Sequence, residues 1–528
     1  MKVLVTEPLA EEGLERLRAE PSIELQVQIE PKPEQLLSLL ADVDGLIVRS
    51  KTKVTAEVLA QAKKLRIVGR AGTGVDNIDL AAATAKGVVV VNTPGGNAVS
   101  VAELAIGLIL SCARNIALTD RKLKGGIWAK KEAKGNELNG KTLGIIGLGR
   151  IGREVAMRAR AFGMQIVGFD PFVAESDLGE QGIRLVALDL LLEKSHVISV
   201  HVPLTEKTKS ILGAPQIALM RSGVILINTA RGGLIDEQAL LDGLRSGKVG
   251  AAGLDVFATE PNPSKELVAH DKVVSTPHIG ASTVEAQEQV GYDVAVSVAD
   301  YLTRGILKNA VNYQSVSPEE MSALSPFLTL SSRLSAFASQ IAVGRMQAVT
   351  VTYFGLLTRA RFSVLTDRIV CEALRPFLDE VDVNPINARS LAKGRGLQVT
   401  EASAQSADGL SAGIRIQLTT DQGSVEVEGT SLGGGRAPRL VCLDKVEIDT
   451  PLEGPTLFFR NDDVPGVIGH LGTFAAERGI NIANFALRKD GHGGAVGVVQ
   501  LDQRMKKPHR DELRKVPGIR FVRSLDLP

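Results

Sequence analysis

The stretch "KTLGIIGLGRIGREVAMRARAFGMQIVGFD", residues 141–170, decides the architecture of this chain. An apolar run over 142–146 enters the glycine series Gly147, Gly149 and Gly152, and an amphipathic run follows. A second apolar run then ends on Asp170. Strand, glycine-rich turn, helix and acid-terminated strand make up a dinucleotide-binding βαβ unit. The glycines permit a tight turn and let the backbone approach a pyrophosphate at the helix N-terminus. Asp170 is placed to accept hydrogen bonds from a ribose hydroxyl and to repel a 2′-phosphate, and the following "PFVAES" offers no arginine to welcome one. The cofactor expected is therefore NAD rather than NADP.

About 140 residues precede this unit, although such fingerprints usually open their domain. That first stretch alternates strand-like runs ("KVLVTE", "IELQVQ", "GLIVRS", "KLRIVGR", "GVVVVNT") with amphipathic helices, which predicts a parallel sheet of its own. A helical run over 97–123 leads into the second series, whose strands are "TLGIIG", "QIVGFD", "VISVHVP", "VILINTA", "AAGLDVF" and "VVSTPH". Another helical run, over 282–305, follows. The expectation is a nucleotide-binding domain, 98–283, inserted into a substrate domain formed by 1–97 and completed by 284–312. Ligands of open α/β sheets gather outside the carboxyl ends of the strands, so two facing units would enclose a cleft.

At 528 residues the chain calls for three or four domains. Beyond Ser317 the texture changes to two helical runs, a hairpin around "DQG" and a loop at "GGGRAP". From Pro455 the order strand, helix, strand, strand, helix, strand predicts a ferredoxin-like unit. The domains expected here are 317–452 and 455–528. A formal net charge of +1 argues against nucleic acid or an acidic membrane as main partner. Cys112, Cys371 and Cys442 are odd in number and scattered, so neither a disulfide framework nor a metal site is expected. The longest apolar stretch, "VAELAIGLILSCA", contains Glu103 and is too short to span a bilayer. With a strand-like start at "MKVLVTEPL" rather than a leader, the reading is cytoplasmic and reducing.

Three later strands end in polar clusters: "NTARGG" with Arg231, "DVFATEP" with Glu260 and "TPHIGAS" with His278. Together they supply what hydride transfer from a 2-hydroxy acid requires. Arginine can grip a carboxylate bidentately. Histidine can take the hydroxyl proton, and a carboxylate on its far nitrogen would fix the tautomer. "GRAGTGVDNIDL", "GLGRIGREVA", "NTARGGLIDE", "AAGLDVFATEP" and "TPHIGASTVEAQ" occur in the order seen in the D-2-hydroxyacid dehydrogenases, which residues 1 to about 312 closely resemble. The resemblance is to the branch that oxidises 3-phospho-D-glycerate in serine synthesis. It implies a Rossmann-like domain inserted into a flavodoxin-like substrate domain, with Arg231, Glu260 and His278 as the catalytic set. It further implies cofactor contacts at Thr73, Gly147, Gly149, Arg150, Ile151, Gly152, Asp170, Thr229, Ala230, Arg231, Asp255, His278, Gly280 and Ala281.

For substrate, Arg49 with Ser50 and Lys51 follows one strand end and Arg70 another, before Gly72. Cations at two strand ends suit a phosphate, whereas a lactate-sized substrate needs one. Asn97, in "PGGNAVS", is a further candidate beside Arg231 and His278. The chain's end, "FFRNDDVPGVIGHLGTFAAERGINIANF", resembles an ACT domain, a ligand-sensing module. That likeness implies serine as effector at Asn461, Asp463 and Asn481, and, with an α+β intervening domain before it, a homotetramer. The alternatives are another 2-hydroxyacid dehydrogenase (a hydroxypyruvate or glyoxylate reductase, or one acting on 2-hydroxyglutarate) and a non-enzymatic NADH-sensing binding protein on the same scaffold.

Overall fold

The computed structural model describes every residue except 179–180, 315–317, 356, 358–361, 379–381, 405–411 and 433–436. Ser317, the end of the helical run read over 365–381, and the first four residues of "GGGRAP" lie outside the described residues.

The first sheet comprises β1 (Lys2–Val5), β2 (Glu24–Val27), β3 (Gly45–Val48), β4 (Ile67–Arg70) and β5 (Val89–Asn92). Its order is β2-β1-β3-β4-β5, and every pair is parallel. The sequence "GLIV" of β3 is buried throughout, as a parallel strand covered on both faces must be. The helix Val284–Arg304 returns to this sheet and packs on β4 and on the helix Glu11–Arg18. Gly13 and Gly291 mark the crossing, where a Cβ on Gly13 would stand 2.5 Å from the Gly291 carbonyl oxygen. Only glycine allows so close an approach.

The second sheet comprises β6 (Thr142–Ile146), β7 (Gln165–Phe169), β8 (Ile183–Leu185), β9 (Val197–Val200), β10 (Val224–Asn228), β11 (Val249–Leu254) and β12 (Val273–Ser275). Its order, β12-β11-β10-β9-β6-β7-β8, reverses direction at β6, which places the glycine turn at the topological switch point. The short β8 carries three residues, Ile183, Arg184 and Leu185, and had no periodicity by which to be predicted. The helical run 97–123 is two helices, Ala98–Arg114 and Ile116–Lys124, bent by 67°. Asn115 stands at the break with φ 53°. The first helix packs on β10 and β11, whereas the second has no buried residue. Among the described residues, no single helix is long and apolar enough to cross a membrane.

The third sheet holds β13 (Met346–Gly355), β14 (Gln398–Ala404), β15 (Ala412–Thr420), β16 (Gly423–Leu432), β17 (Ala437–Leu443) and β18 (Val446–Pro451), in the order β14-β13-β15-β16-β17-β18. Strands β15 and β16 form the hairpin around "DQG". The helices Pro318–Ile341 and Ser363–Leu374 pack against each other, the first also lying on β15 to β17. The fourth sheet holds β19 (Pro455–Asp462), β20 (Ile482–Lys489), β21 (Gly494–Leu501) and β22 (Ile519–Asp526), ordered β20-β21-β19-β22 and wholly antiparallel. This is the ferredoxin-like βαββαβ arrangement. One face of it, with Phe458, Val496, Val498 and Leu525, joins the core around Leu330, Leu334 and Phe337, so the last two sheets share one hydrophobic core.

Candidate active site

The glycine turn has the shape a pyrophosphate needs. Gly147 has φ 97°, and a Cβ there would stand 2.6 Å from the His201 carbonyl oxygen. A Cβ on Gly152 would stand 2.1 Å from the Gly147 oxygen, so helix and turn pack too tightly for any side chain. Gly149, at the N-cap of the helix Arg150–Ala161, faces open space, which leaves the helix N-terminus accessible. At the end of β7 the two Asp170 oxygens accept the backbone N–H groups of Leu148 and Phe172, each at 2.9 Å. The carboxylate is thereby aimed over the turn. Arg150 donates to the Pro94 carbonyl of the first unit, and Ile151 packs half-buried on the core beneath. Thr229 is 6% exposed, and its Oγ1 has no partner. An unpaired buried hydroxyl at the carboxyl end of β10 and an open helix N-terminus at that of β6, in the same sheet, fit a bound dinucleotide.

Beyond β11, His278 is brought against Glu260. Its Nδ1 lies 2.7 Å from Glu260 Oε2, while Oε1 of the same carboxylate accepts the Phe257 N–H at 3.0 Å. The His278 backbone has φ 55°, held by Asp255. Fully buried, Asp255 accepts Thr276 Oγ1 at 2.6 Å and the N–H groups of Ile279 and Gly280 at 2.8 Å. Its carboxylate thus shapes the histidine loop. The Gly280 carbonyl is in turn bound by Ser100 Oγ at 2.7 Å, with half-buried Ala281 beside it.

Arg231 follows β10 in a turn braced by Asn228, whose Nδ2 donates to the Arg231 carbonyl and whose Oδ1 accepts the Ala230 N–H. Its Nη1 donates to the Ala230 carbonyl at 2.6 Å. Its Nε reaches across to Asp76 Oδ2 of the first unit at 2.9 Å. Asp76 is absent from the sequence expectations, because an acid in a glycine-rich loop carries no pattern of its own. On the same side, Arg70 ends β4 with its Nε buried and unpartnered. Burial, and then the charge of Arg231, push the Arg70 guanidinium down to about 10. A Cβ on Gly72 would strike Arg70 Nη1, so the loop leaves room for that side chain alone. Thr73 Oγ1 and Asn97 Oδ1 are 2.9 Å apart at the start of the helix Ala98–Arg114. Arg49 lies after β3, with exposed Ser50 and Lys51. Arg49 donates to the Pro8 carbonyl at 3.2 Å and Lys51 pairs with Glu30.

In the fourth sheet the three expected effector residues are dispersed. Asn461 is a strand residue, 3% exposed, with Oδ1 unpartnered. Asp463, in the loop before the helix Val467–Ala476, pairs with Lys489 at 2.5 Å. Asn481 is exposed, and its N–H donates to Asp502.

Residues 106–280 match the family described as "D-isomer specific 2-hydroxyacid dehydrogenase, NAD binding domain". Two facing α/β units with this site define an NAD-dependent dehydrogenase of the D-2-hydroxyacid class. Residues 323–444 match the "D-3-phosphoglycerate dehydrogenase intervening domain". The chain is 39% identical to the D-3-phosphoglycerate dehydrogenase of Methanocaldococcus jannaschii and 37% identical to that of Bacillus subtilis, each over all of both chains. It belongs to the D-3-phosphoglycerate dehydrogenase family. A solved D-lactate dehydrogenase from Aquifex aeolicus, complexed with NAD and lactic acid, is 31% identical with TM-score 0.53, covering 59% of this chain and 100% of its own. That shorter enzyme leaves the rest of the present chain unmatched.

Proposed function

We propose that the cleft between the first two sheets is the active site for NAD-dependent oxidation of 3-phospho-D-glycerate to 3-phosphohydroxypyruvate, the first step of L-serine biosynthesis. One observation carries the choice of substrate. Arg70 lies in the field of Arg231 from the other sheet and of Arg49 from the neighbouring strand end, while Asp76 is bound to Arg231, so three cations gather at the cleft. Such a site favours a substrate with two anionic groups over a lactate-like monoanion.

In this reading Gly147, Gly149, Arg150, Ile151, Gly152, Asp170, Thr229, Ala230 and Asp255 hold the NAD, with Thr73, Gly280 and Ala281 at its edge. Bound NAD supplies the hydride acceptor. Arg231 grips the substrate carboxylate through its fork of donors. His278 receives the hydroxyl proton, and Glu260 on its Nδ1 keeps the other nitrogen facing the substrate and stabilises the imidazolium that forms. Arg49, Ser50, Lys51 and Arg70 hold the phosphate, with Gly72 and Asn97 lining the approach. The test is NADH formation with 3-phosphoglycerate against D-glycerate, D-lactate and 2-hydroxyglutarate. A preference for the phosphorylated acid is expected, and its absence would overturn the assignment.

Serine is the proposed effector, acting at an interface between two copies of the ferredoxin-like unit, with Asp463 and Asn461 from one and Asn481, which lies at the other end of the sheet, from its neighbour. The unpaired acceptor of Asn461 supports a polar ligand there. A homotetramer is proposed as the working assembly. Ile116, Leu123, Ile127 and Trp128, all more than half exposed on one protruding segment, support a subunit contact. Sedimentation that returned a monomer at micromolar concentration would exclude it. The compartment inferred is the cytoplasm, in keeping with Cys112, Cys371 and Cys442 as free thiols.

A further inference from the structure

The turn after β3 is gripped from both sides by two side chains that no role has yet claimed. Glu7, two residues past β1, is 3% exposed. Its Oε1 accepts the N–H of Arg49 at 2.8 Å and of Thr52 at 2.9 Å, and its Oε2 accepts that of Lys51 at 3.0 Å. Asn77, from the loop after β4, donates its Nδ2 to the carbonyls of Arg49 at 2.9 Å and Thr52 at 2.7 Å. Five backbone groups of one short turn are thus satisfied by two side chains distant in sequence.

Burial pushes the Glu7 carboxyl up, but the N–H donors of Thr52, Lys51 and Arg49 outweigh it and hold it below the ordinary carboxylate range. A buried ionised carboxylate is costly unless both oxygens are hydrogen-bonded, and here both are. The arrangement has a chemical consequence. With these N–H groups turned inward to Glu7, they are not free to form a backbone anion nest. Of this turn's N–H groups from 49 to 52 only that of Ser50 is not taken by Glu7, so an anion at this strand end relies chiefly on side chains, and their placement follows the backbone that Glu7 and Asn77 fix.

We propose that Glu7 is a positioning residue for the phosphate end of the substrate: with Asn77 it clamps the turn 49–52 so that Arg49, at the end of β3, is presented beside Arg70, at the paired end of β4. The proposal rests on the reading of that turn as a substrate contact. Glu7 touches no reacting atom. It sets the preference for the phosphorylated over the unphosphorylated acid.

The experiment is steady-state kinetics of Glu7→Gln with 3-phosphoglycerate and with D-glycerate, alongside NADH titration. Gln keeps the size but turns an amide N–H₂ toward the backbone donors. The KM for 3-phosphoglycerate should rise roughly 10- to 100-fold, the range for displaced binding groups, with kcat within about twofold. D-glycerate kinetics and NADH affinity should be unchanged. An equal loss on both substrates would reduce Glu7 to a structural role, and no change on either would remove it altogether. Both outcomes overturn the proposal. Asn77→Ala, which frees the two carbonyls, carries the same test if Glu7→Gln does not fold. Arg49→Gln separates the underlying reading: if it lowers the preference and the clamp variants do not, the clamp alone is wrong. If Arg49→Gln leaves the preference intact, the substrate reading of the turn falls and the clamp with it.

Discussion

At the residue scale, two side chains divide the chemistry. His278 is the proposed proton carrier, and its Nδ1 is engaged by Glu260, so its other nitrogen is the one available to a substrate. His278→Asn should lower turnover by roughly 10²–10⁴-fold, with NADH binding little changed because the glycine turn lies elsewhere. Stopped-flow turnover and NADH fluorescence titration measure the two separately, and near-normal turnover would exclude His278 as the acid/base. Asp170 is the proposed determinant of cofactor choice. Its oxygens are anchored by Leu148 and Phe172, which fixes its carboxylate over the glycine turn, where the proposed reading puts the ribose. Asp170→Ala should weaken NAD and narrow its preference over NADP. An unchanged ratio of kcat/KM for the two cofactors would count against the assignment.

At the scale of elements, a long helical pattern is broken by one residue. Asn115 adopts φ 53° and ψ 34°, ends the helix Ala98–Arg114 and turns the chain into the exposed helix Ile116–Lys124. Asparagine tolerates this left-handed conformation, whereas a β-branched side chain does not. Asn115→Val should destabilise the fold by about 1–2 kcal/mol, and Asn115→Gly by much less. Urea unfolding of both variants checks it, with equal losses ruling out a backbone cause.

At the scale of the whole molecule, the last two sheets share one core, in which Phe337 meets Phe458 edge-on with ring centroids 5.9 Å apart. The Asn384 side chain of the intervening part donates to the Gly87 carbonyl of the first unit at 3.1 Å. The ferredoxin-like unit is thus joined to the intervening part, and that part touches the first unit; a ligand there can shift an equilibrium only through differential affinity for two arrangements. Under the proposed regulation, Asp463→Ala should abolish serine binding and serine inhibition while leaving uninhibited turnover intact. Calorimetric titration and inhibition curves would decide it. Serine bound equally by variant and wild type would move the site elsewhere, and indifference of the wild type would assign the unit to another effector or to assembly.

What the sequence by itself determined are features with local causes. The glycines of 147–152 follow from a turn too tight for a Cβ, and the continuous apolar runs from strands buried on both faces. The polar ends of later strands announced Arg231, Glu260 and His278 as candidates for the same reason, since a strand's carboxyl end is a fixed place in an α/β unit. The strand β8 and most of the third sheet were not legible, because short or amphipathic strands owe their pairing to neighbours. Only the tertiary structure decided which distant side chains meet: Asp76 with Arg231, Asn77 and Glu7 with the turn 49–52, and the buried seat of Asn461. Hydrogen bonds between residues tens to hundreds of positions apart leave no spacing in a sequence. Their energy depends on how whole sheets are set against one another.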